Sequence, residues 1–305
     1  MKSPFYNAWA NWNVNDIPYA IRKSKEDICT FSFKKTNDKV LSYHEELLNN
    51  ARMIRDYYRG PFDVLYSGGI DSEVIIRIFK ELGIKHNTII VRYKDGYNKR
   101  EIDCALDFIK DLNIPYKIVD FDIKKFFENE AYDWCIKSSC IRVGRVNHIK
   151  FCVDFCDNIP IMGEGDVYWY RSLESDYSKK SDWKFIVSEA SHNCNMFLTS
   201  IGRENVCDFY EFTPNVIKAY NELPIIKKLL DDQLPGKLSN WSSKWEIHNE
   251  IWPDMKRRIK LTGLEKDQPA GTMPAFVAEL QDTILNIIGP GNDYWYTKEE
   301  LSNLL

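Results

Sequence analysis

Between Phe62 and Phe79 the chain reads FDVLYSGGIDSEVIIRIF, where Ser67, Gly68, Gly69, Asp71 and Ser72 interrupt two stretches fit for burial. Adjacent glycines let a backbone come close to a ligand, and the first turn of a helix presents free N–H groups at the positive end of its dipole. That combination suits phosphate, and the hydroxyls of Ser67 and Ser72 add donors. An aspartate beside phosphate is repulsive unless a cation neutralises it. Mg²⁺ bridges carboxylate and phosphate oxygens, so Asp71 is a candidate metal ligand. Neither the GxxxxGK[ST] nor the GxGxxG spacing is present.

Such residues need a strand to deliver them and a helix that starts on them. FDVLYS reads as a buried strand and SEVIIRIFKELG as an amphipathic helix ended by Gly83. The alternation continues with strand Asn87–Tyr93, a helix from about Lys99 to Leu112 and strand Pro115–Phe121. Helices near Ile123–Ala131 and Val146–Phe155 and the strand Ile159–Gly163 follow. Strands that recur with intervening helices predict a parallel sheet with right-handed crossovers. Ahead of it lie a strand, ICTFSF (Ile28–Phe33), and a helix ending near Gly60. After about Tyr170 the strand signals stop, and the rest reads as mostly helical, with Pro214 in a first turn and a Thr297/Glu300 capping box. The expected organisation is an N-terminal strand–helix segment (1–60), an α/β core (61–170) and a helical part packed on that core (171–305).

The 305 residues suffice for one large domain or two packed ones, and 44% apolar, 14% aromatic and 28% charged residues argue for an ordered globule. With 41 basic and 45 acidic side chains the formal charge is −4, so no broad cationic field recruits nucleic acid or an anionic membrane. No apolar run is long enough to span a bilayer and no export signal is visible, so a cytoplasmic location with reduced thiols is expected. Among the eight cysteines, Cys135, Cys140, Cys152 and Cys156 invite comparison with a zinc site. Neither pair has the two-residue gap of a zinc knuckle, and NHIKFCVDFC reads as a helix whose cysteines fill the core.

SGGIDS matches the SGGxDS signature of the ATP pyrophosphatase, or PP-loop, superfamily, and the chain resembles that superfamily at the strand–helix junction where the motif belongs. The resemblance implies an α/β PP-loop core whose loop (Ser67, Gly68, Gly69, Asp71, Ser72) grips the pyrophosphate of ATP. It further implies ATP and Mg²⁺ as cofactors, and adenine contacts at the end of VRYKDG, mainly through the backbone of Val91 and Arg92. IPIMGEGDVYWY resembles the GEGxDE segment of asparagine synthetase and β-lactam synthetase, except that Asp166 follows Gly165 directly and Val167 stands where the family has Asp. By that resemblance Gly163 belongs to the nucleotide site, Glu164 lies beside the acceptor and amine, and Asp166 shares Mg²⁺ with Asp71.

SSKWEIHNEIWPDMKRRIKLTGLEK is similar to a later segment of the same domain, which makes Lys244 the candidate to contact the leaving pyrophosphate, with Arg257, Arg258 or Lys260 nearby. FYEFTPNVIKAY (Phe209–Tyr220) is similar to the family's PFLD segment without its key letters. The resemblance runs from about Ala51 to Lys266 and lacks the amidotransferase domain of glutamine-dependent relatives, so glutamine hydrolysis is not expected. What it implies is an AMP-forming ligase that adenylates a carboxylate or carbonyl and passes it to an amine.

On the residues alone, other readings stay open. GEGD is also an ordinary polar loop, and the Lys244–Lys260 stretch an ordinary solvated face. Arg142 and Arg145 suit a substrate carboxylate or phosphate, or a surface patch, while His148 reads as structural. Tyr168, Trp169 and Tyr170 suit the wall of a substrate pocket or, as large apolar rings favour, packing at the junction. Two other functions fit the loop: a sulfur-handling enzyme using Cys135 and Cys140, and an ATP- or AMP-sensing module without turnover.

Overall fold

The structure, a computed structural model, describes residues 10–33, 39–164, 169–171, 183–231, 240–258 and 275–305. An antiparallel sheet comes first: β1 (Ala10–Val14), β2 (Ile17–Pro18) and β3 (Cys29–Phe33) in the order β2-β1-β3. Helix α1 (Tyr43–Tyr58) follows, started by Ser42 and Glu45 in a capping box. The central sheet then forms from β4 (Phe62–Leu65), β5 (His86–Tyr93), β6 (Tyr116–Phe121) and β7 (Ile159–Ile161). Its order is β6-β5-β4-β7 and every pairing is parallel, as the alternation predicts. The crossovers are α2 (Ile70–Glu81), α3 (Lys99–Leu112), and α4 (Ile123–Asn129), α5 (Ala131–Ser138) and α6 (Val146–Phe155) in succession.

Both faces of this sheet are covered because side chains alternate along each strand. Phe62, Val64 and Ile90 enter a core built with α1, α2 and α3, whereas Leu65 and Val91 pack against the core of α4, α5 and α6. At the lower end of the sheet the fully buried Asp63 carboxylate ties three strands together. It accepts from the Asn158 backbone N–H (2.8 Å) and side chain (2.9 Å), and from the Asn87 amide (3.0 Å).

Beyond β7 the chain is richer in strands than expected. β8 (Trp169–Arg171), β9 (Trp183–Ser188) and β10 (Asp293–Tyr296) form a second antiparallel sheet, which crosses the expected boundary at 170/171. Between β9 and β10 come α7 (Glu189–Ser200), α8 (Pro214–Glu222), α9 (Pro224–Leu230), α10 (Asn240–Ile251) and α11 (Ala275–Ile288); α12 (Lys298–Leu304) closes the chain on the expected Thr297/Glu300 box. The N-terminal segment docks on this half. Arg22 and Glu189 form a buried ion pair at 2.8 Å, and the Cys29 carbonyl accepts from Asn292 and Tyr294. No helix of the described residues is long and apolar enough to cross a membrane.

Replacing Asp63 by Ala removes a buried acceptor from three part-buried donors of Asn158 and Asn87, so unfolding in urea should show a loss of roughly 1–3 kcal/mol with an unchanged m-value. A loss under about 0.5 kcal/mol, the size of an ordinary surface substitution, would show that water replaces the carboxylate.

Candidate active site

β5 and β6 lie on one side of β4, and β7 on the other. The chain leaves β4 toward β5 and enters β7 from β6, and the carboxyl ends at such a reversal of strand order are where open α/β sheets bind ligands. The loop after β4 carries Ser67 to Asp71, and the loop after β7 carries Gly163 and Glu164.

Gly68 sits at φ +81°, in the left-handed region, and a Cβ there would collide with the Glu101 carbonyl. Gly69 is the N-cap of α2 and brings no side-chain cap to the helix start. Ser67 Oγ accepts from the Gly69 N–H and lies 3.3 Å from Ser72 Oγ, while Ser72 Oγ also donates to the Gly69 carbonyl. Gly163 rests on this turn: a Cβ there would stand 3.2 Å from Asp71 Cβ and 3.3 Å from the Ser72 nitrogen.

Three cations converge from the C-terminal half or from α2 itself. Lys244, on α10, places Nζ 2.8 Å from Asp71 Oδ2, so the predicted pyrophosphate contact and the predicted metal ligand stand side by side. Arg258 donates to the Gly68 carbonyl and pairs with Glu73, a fully buried acid one turn into the helix. Arg77 holds the other oxygen of Glu73 at 2.8 Å and reaches Asp254 at 3.0 Å. Arg257 instead lies on the surface against Glu246. From the Phe209–Tyr220 segment, the Tyr210 hydroxyl donates to the Asp71 carbonyl at 2.7 Å.

Glu164 is mostly buried and accepts from His148 Nδ1 at 2.7 Å, a role that the sequence did not suggest for this histidine. Burial alone would raise its pKa. The bond from His148 and the positive charges of Arg145, His148 and His192 outweigh that and hold the carboxyl below the usual range. Arg142 and Arg145 turn toward Ser188 and Ser191 rather than forming a surface patch. His192, on α7, is buried and lies 2.6 Å from Glu211. Burial would lower its pKa, but the Glu211 carboxylate raises it to about 9. Nothing local in EASHNCN marks His192 as part of a site, yet every residue from Glu189 to Leu198 is buried.

Other predicted residues lie apart or outside the description. Asp166 and Lys260 are outside the described residues, as are Gly165, Val167 and Tyr168. At the end of β5 the Val91 carbonyl accepts from Asn98, and the exposed Arg92 side chain closes on Asp120 at 2.6 Å. Trp169 is buried and donates to Asn221, as packing at the junction requires. Cys135 and Cys140 are buried, and desolvation pushes the Cys135 thiol up to about 12 and that of Cys140 well above the ordinary value, which suits core packing and not sulfur transfer. The quartet Cys135, Cys140, Cys152 and Cys156 does not gather; Cys152 meets Cys194 and Cys207 instead.

A family model described as queuosine biosynthesis protein QueC matches residues 63–138, from β4 to the end of α5. The core is a PP-loop α/β fold. The match spans about a quarter of the chain, and no curated protein matches it. Among solved structures, the chain is similar to NMN synthetase from Francisella tularensis, at 15% identity and a TM-score of 0.33 over 79% of this chain and 92% of that one. It is also similar to NH3-dependent NAD synthetase from Campylobacter jejuni subsp. jejuni NCTC 11168 in complex with the nitrate ion, at 13% identity and a TM-score of 0.33 over 80% and 93%. Superpositions this loose say nothing of substrate. The finer resemblance to asparagine and β-lactam synthetases rests on sequence segments: SGGIDS, GEGD, the stretch around Lys244 and Phe209–Tyr220.

The ordinary pKa of His192 is 6.5 and its folded value about 9, so its pairing stabilises the fold fully below pH 6.5 and the contribution fades as pH rises through 9. Thermal unfolding of wild type and His192→Gln should therefore show a stability gap that narrows between those two values. A gap independent of pH would mean that the imidazole is neutral throughout.

Proposed function

We propose that the chain is an ATP-dependent, AMP- and pyrophosphate-forming ligase that activates a carboxylate or carbonyl oxygen and passes it to an amine. The observation that carries this reading is the pairing of Lys244 with Asp71 on a glycine-admitted helix start, across the switch point from an ionised Glu164. Pyrophosphate would lie on the backbone of Gly68, Gly69 and the first turn of α2, within reach of the hydroxyls of Ser67 and Ser72. Lys244 and Arg258 supply positive charge where the leaving group develops negative charge. Adenine is assigned to the end of β5, at Val91 and Arg92.

One partly exposed carboxylate beside phosphate-binding amides fits Mg²⁺ carried in on ATP, since that ion takes one or two carboxylates together with substrate phosphates. Asp71 would hold it, with Asp166 as the proposed second ligand. When bound, the ion neutralises charge on the phosphate oxygens.

In the first step the substrate oxygen attacks the α-phosphorus, the bond to pyrophosphate breaks, and an adenylate forms. In the second a nitrogen attacks the activated carbon and AMP leaves. A carboxyl held below the usual range is a poor proton acceptor but a good hydrogen-bond acceptor, so Glu164 orients the amine while His148 positions Glu164. The acceptor, free or carried on a macromolecule, would face Arg142 and Arg145. The overall charge of −4 does not point to nucleic acid.

Exchange of labelled pyrophosphate into ATP, run with Mg²⁺ and a panel of carboxylic acids, tests this. Exchange should depend on one acid and fall about 100-fold or more in Asp71→Ala, while Glu164→Gln should keep exchange and lose amide formation. Release of ADP and phosphate, or exchange unaffected by Asp71→Ala, would contradict it.

A further inference from the structure

Behind β7, the strand that leads to Glu164, lies a group of side chains that the proposed chemistry does not use. Cys152 on α6, Cys194 on α7 and Cys207, beyond α7, are all buried and all free thiols. Their sulfurs lie within 4.8 Å of one another, with 3.4 Å between Cys194 and Cys207 and 3.8 Å between Cys194 and Cys152. The thioether of Met162 stands 3.3 Å from the Cys152 sulfur. We propose that Cys152, Cys194 and Cys207 bind a single thiophilic d¹⁰ ion of the Zn²⁺ or Cu(I) class, with Met162 as the fourth sulfur.

Three features carry this. The first is spacing: metal–thiolate bonds of about 2.3 Å in a tetrahedron put sulfurs about 3.8 Å apart, which these pairs already approach. The second is composition, because a set of thiolates and a thioether selects soft ions over Mg²⁺ or Ca²⁺. The third is how the ligands are held. Asn195, next to Cys194, accepts from the Cys207 backbone N–H at 3.0 Å, and the Cys207 segment is itself pinned to β7 by the Met162 N–H donating to the Val206 carbonyl at 3.0 Å and the Val206 N–H donating to the Pro160 carbonyl at 2.9 Å. Cys29, Cys135, Cys140 and Cys156 are equally buried and belong to no such group among the described residues, so burial alone does not assemble sulfurs.

Binding replaces three S–H protons by the ion and releases them to solvent, with no change in oxidation state. The bound ion joins α6, α7 and the end of β7 directly behind Gly163 and Glu164. This inference does not rest on the adenylation reading.

Metal analysis of protein purified without chelator should find about one zinc or copper per chain. That content should fall about tenfold or more in Cys194→Ser and Cys207→Ser, and stay unchanged in Cys135→Ser and Cys140→Ser. Because a serine variant can fail to fold, the wild-type chain is also stripped with chelator under reductant and titrated with Cd²⁺. One saturating equivalent with a thiolate–cadmium absorption band and proton release supports the site; which native ion fills it is read from the metal analysis. Saturation without that band, a mass two hydrogens lighter that maps to a Cys194–Cys207 disulfide, or the visible absorption of an iron–sulfur cluster would overturn it.

Discussion

The candidate site depends on how closely Gly163 approaches the first turn of α2. A Cβ at that position would stand 3.2 Å from Asp71 and 3.3 Å from the Ser72 nitrogen, so the absence of a side chain at residue 163 lets the loops after β4 and β7 meet without either giving way. The sheet order makes that meeting matter. With β7 on the opposite side of β4 from β5 and β6, the two loops frame the place where α/β sheets take ligands. Gly68 imposes the companion constraint on the far side of the loop, where the Glu101 carbonyl leaves no room for a methyl group.

Charge then fills the frame. Asp71 and Glu73 stand two residues apart at the start of α2, where a helix dipole favours acids, and each is matched by a cation from the C-terminal half: Lys244 for Asp71, Arg258 for Glu73. The C-terminal half thus contributes cations to the candidate site. A net charge of −4 conceals this local arrangement, because Arg77, Lys244 and Arg258 are few but concentrated. On the other rim the bond from His148 and the charge of Arg145 hold the Glu164 carboxyl below the usual range although it is mostly buried.

What the sequence could reveal follows from the range of each interaction. The strand–loop–helix at residues 62–81 was legible because glycine pairs, apolar alternation and helix starts are local signals, and the parallel sheet followed from their repetition. The ion pairs were legible only as candidates. Lys244 and Asp71 are 173 residues apart, and Arg258 and Glu73 are 185 apart, so motifs could nominate Asp71, Lys244 and Arg258 separately but not join the pairs. Sequence distance also misled. It grouped Cys152 with Cys135, Cys140 and Cys156, while the fold brings it to Cys194 and Cys207. The second sheet went unseen because WKFIVS and DYWY are short strands whose pairing spans more than a hundred residues. The burial of the polar helix α7 was not legible because nothing local says that the N-terminal sheet covers it, as Trp12 does against His192.

The central claim is that the loop after β4 holds a pyrophosphate group. Calorimetric competition tests it most directly: ATP bound in the presence of Mg²⁺ is challenged with pyrophosphate and, separately, with AMP. The account predicts that pyrophosphate displaces ATP and does so better than AMP, because the loop backbone, Lys244 and Arg258 engage the phosphates that AMP lacks. Displacement by AMP but not by pyrophosphate would place the affinity elsewhere and contradict the assignment of this loop.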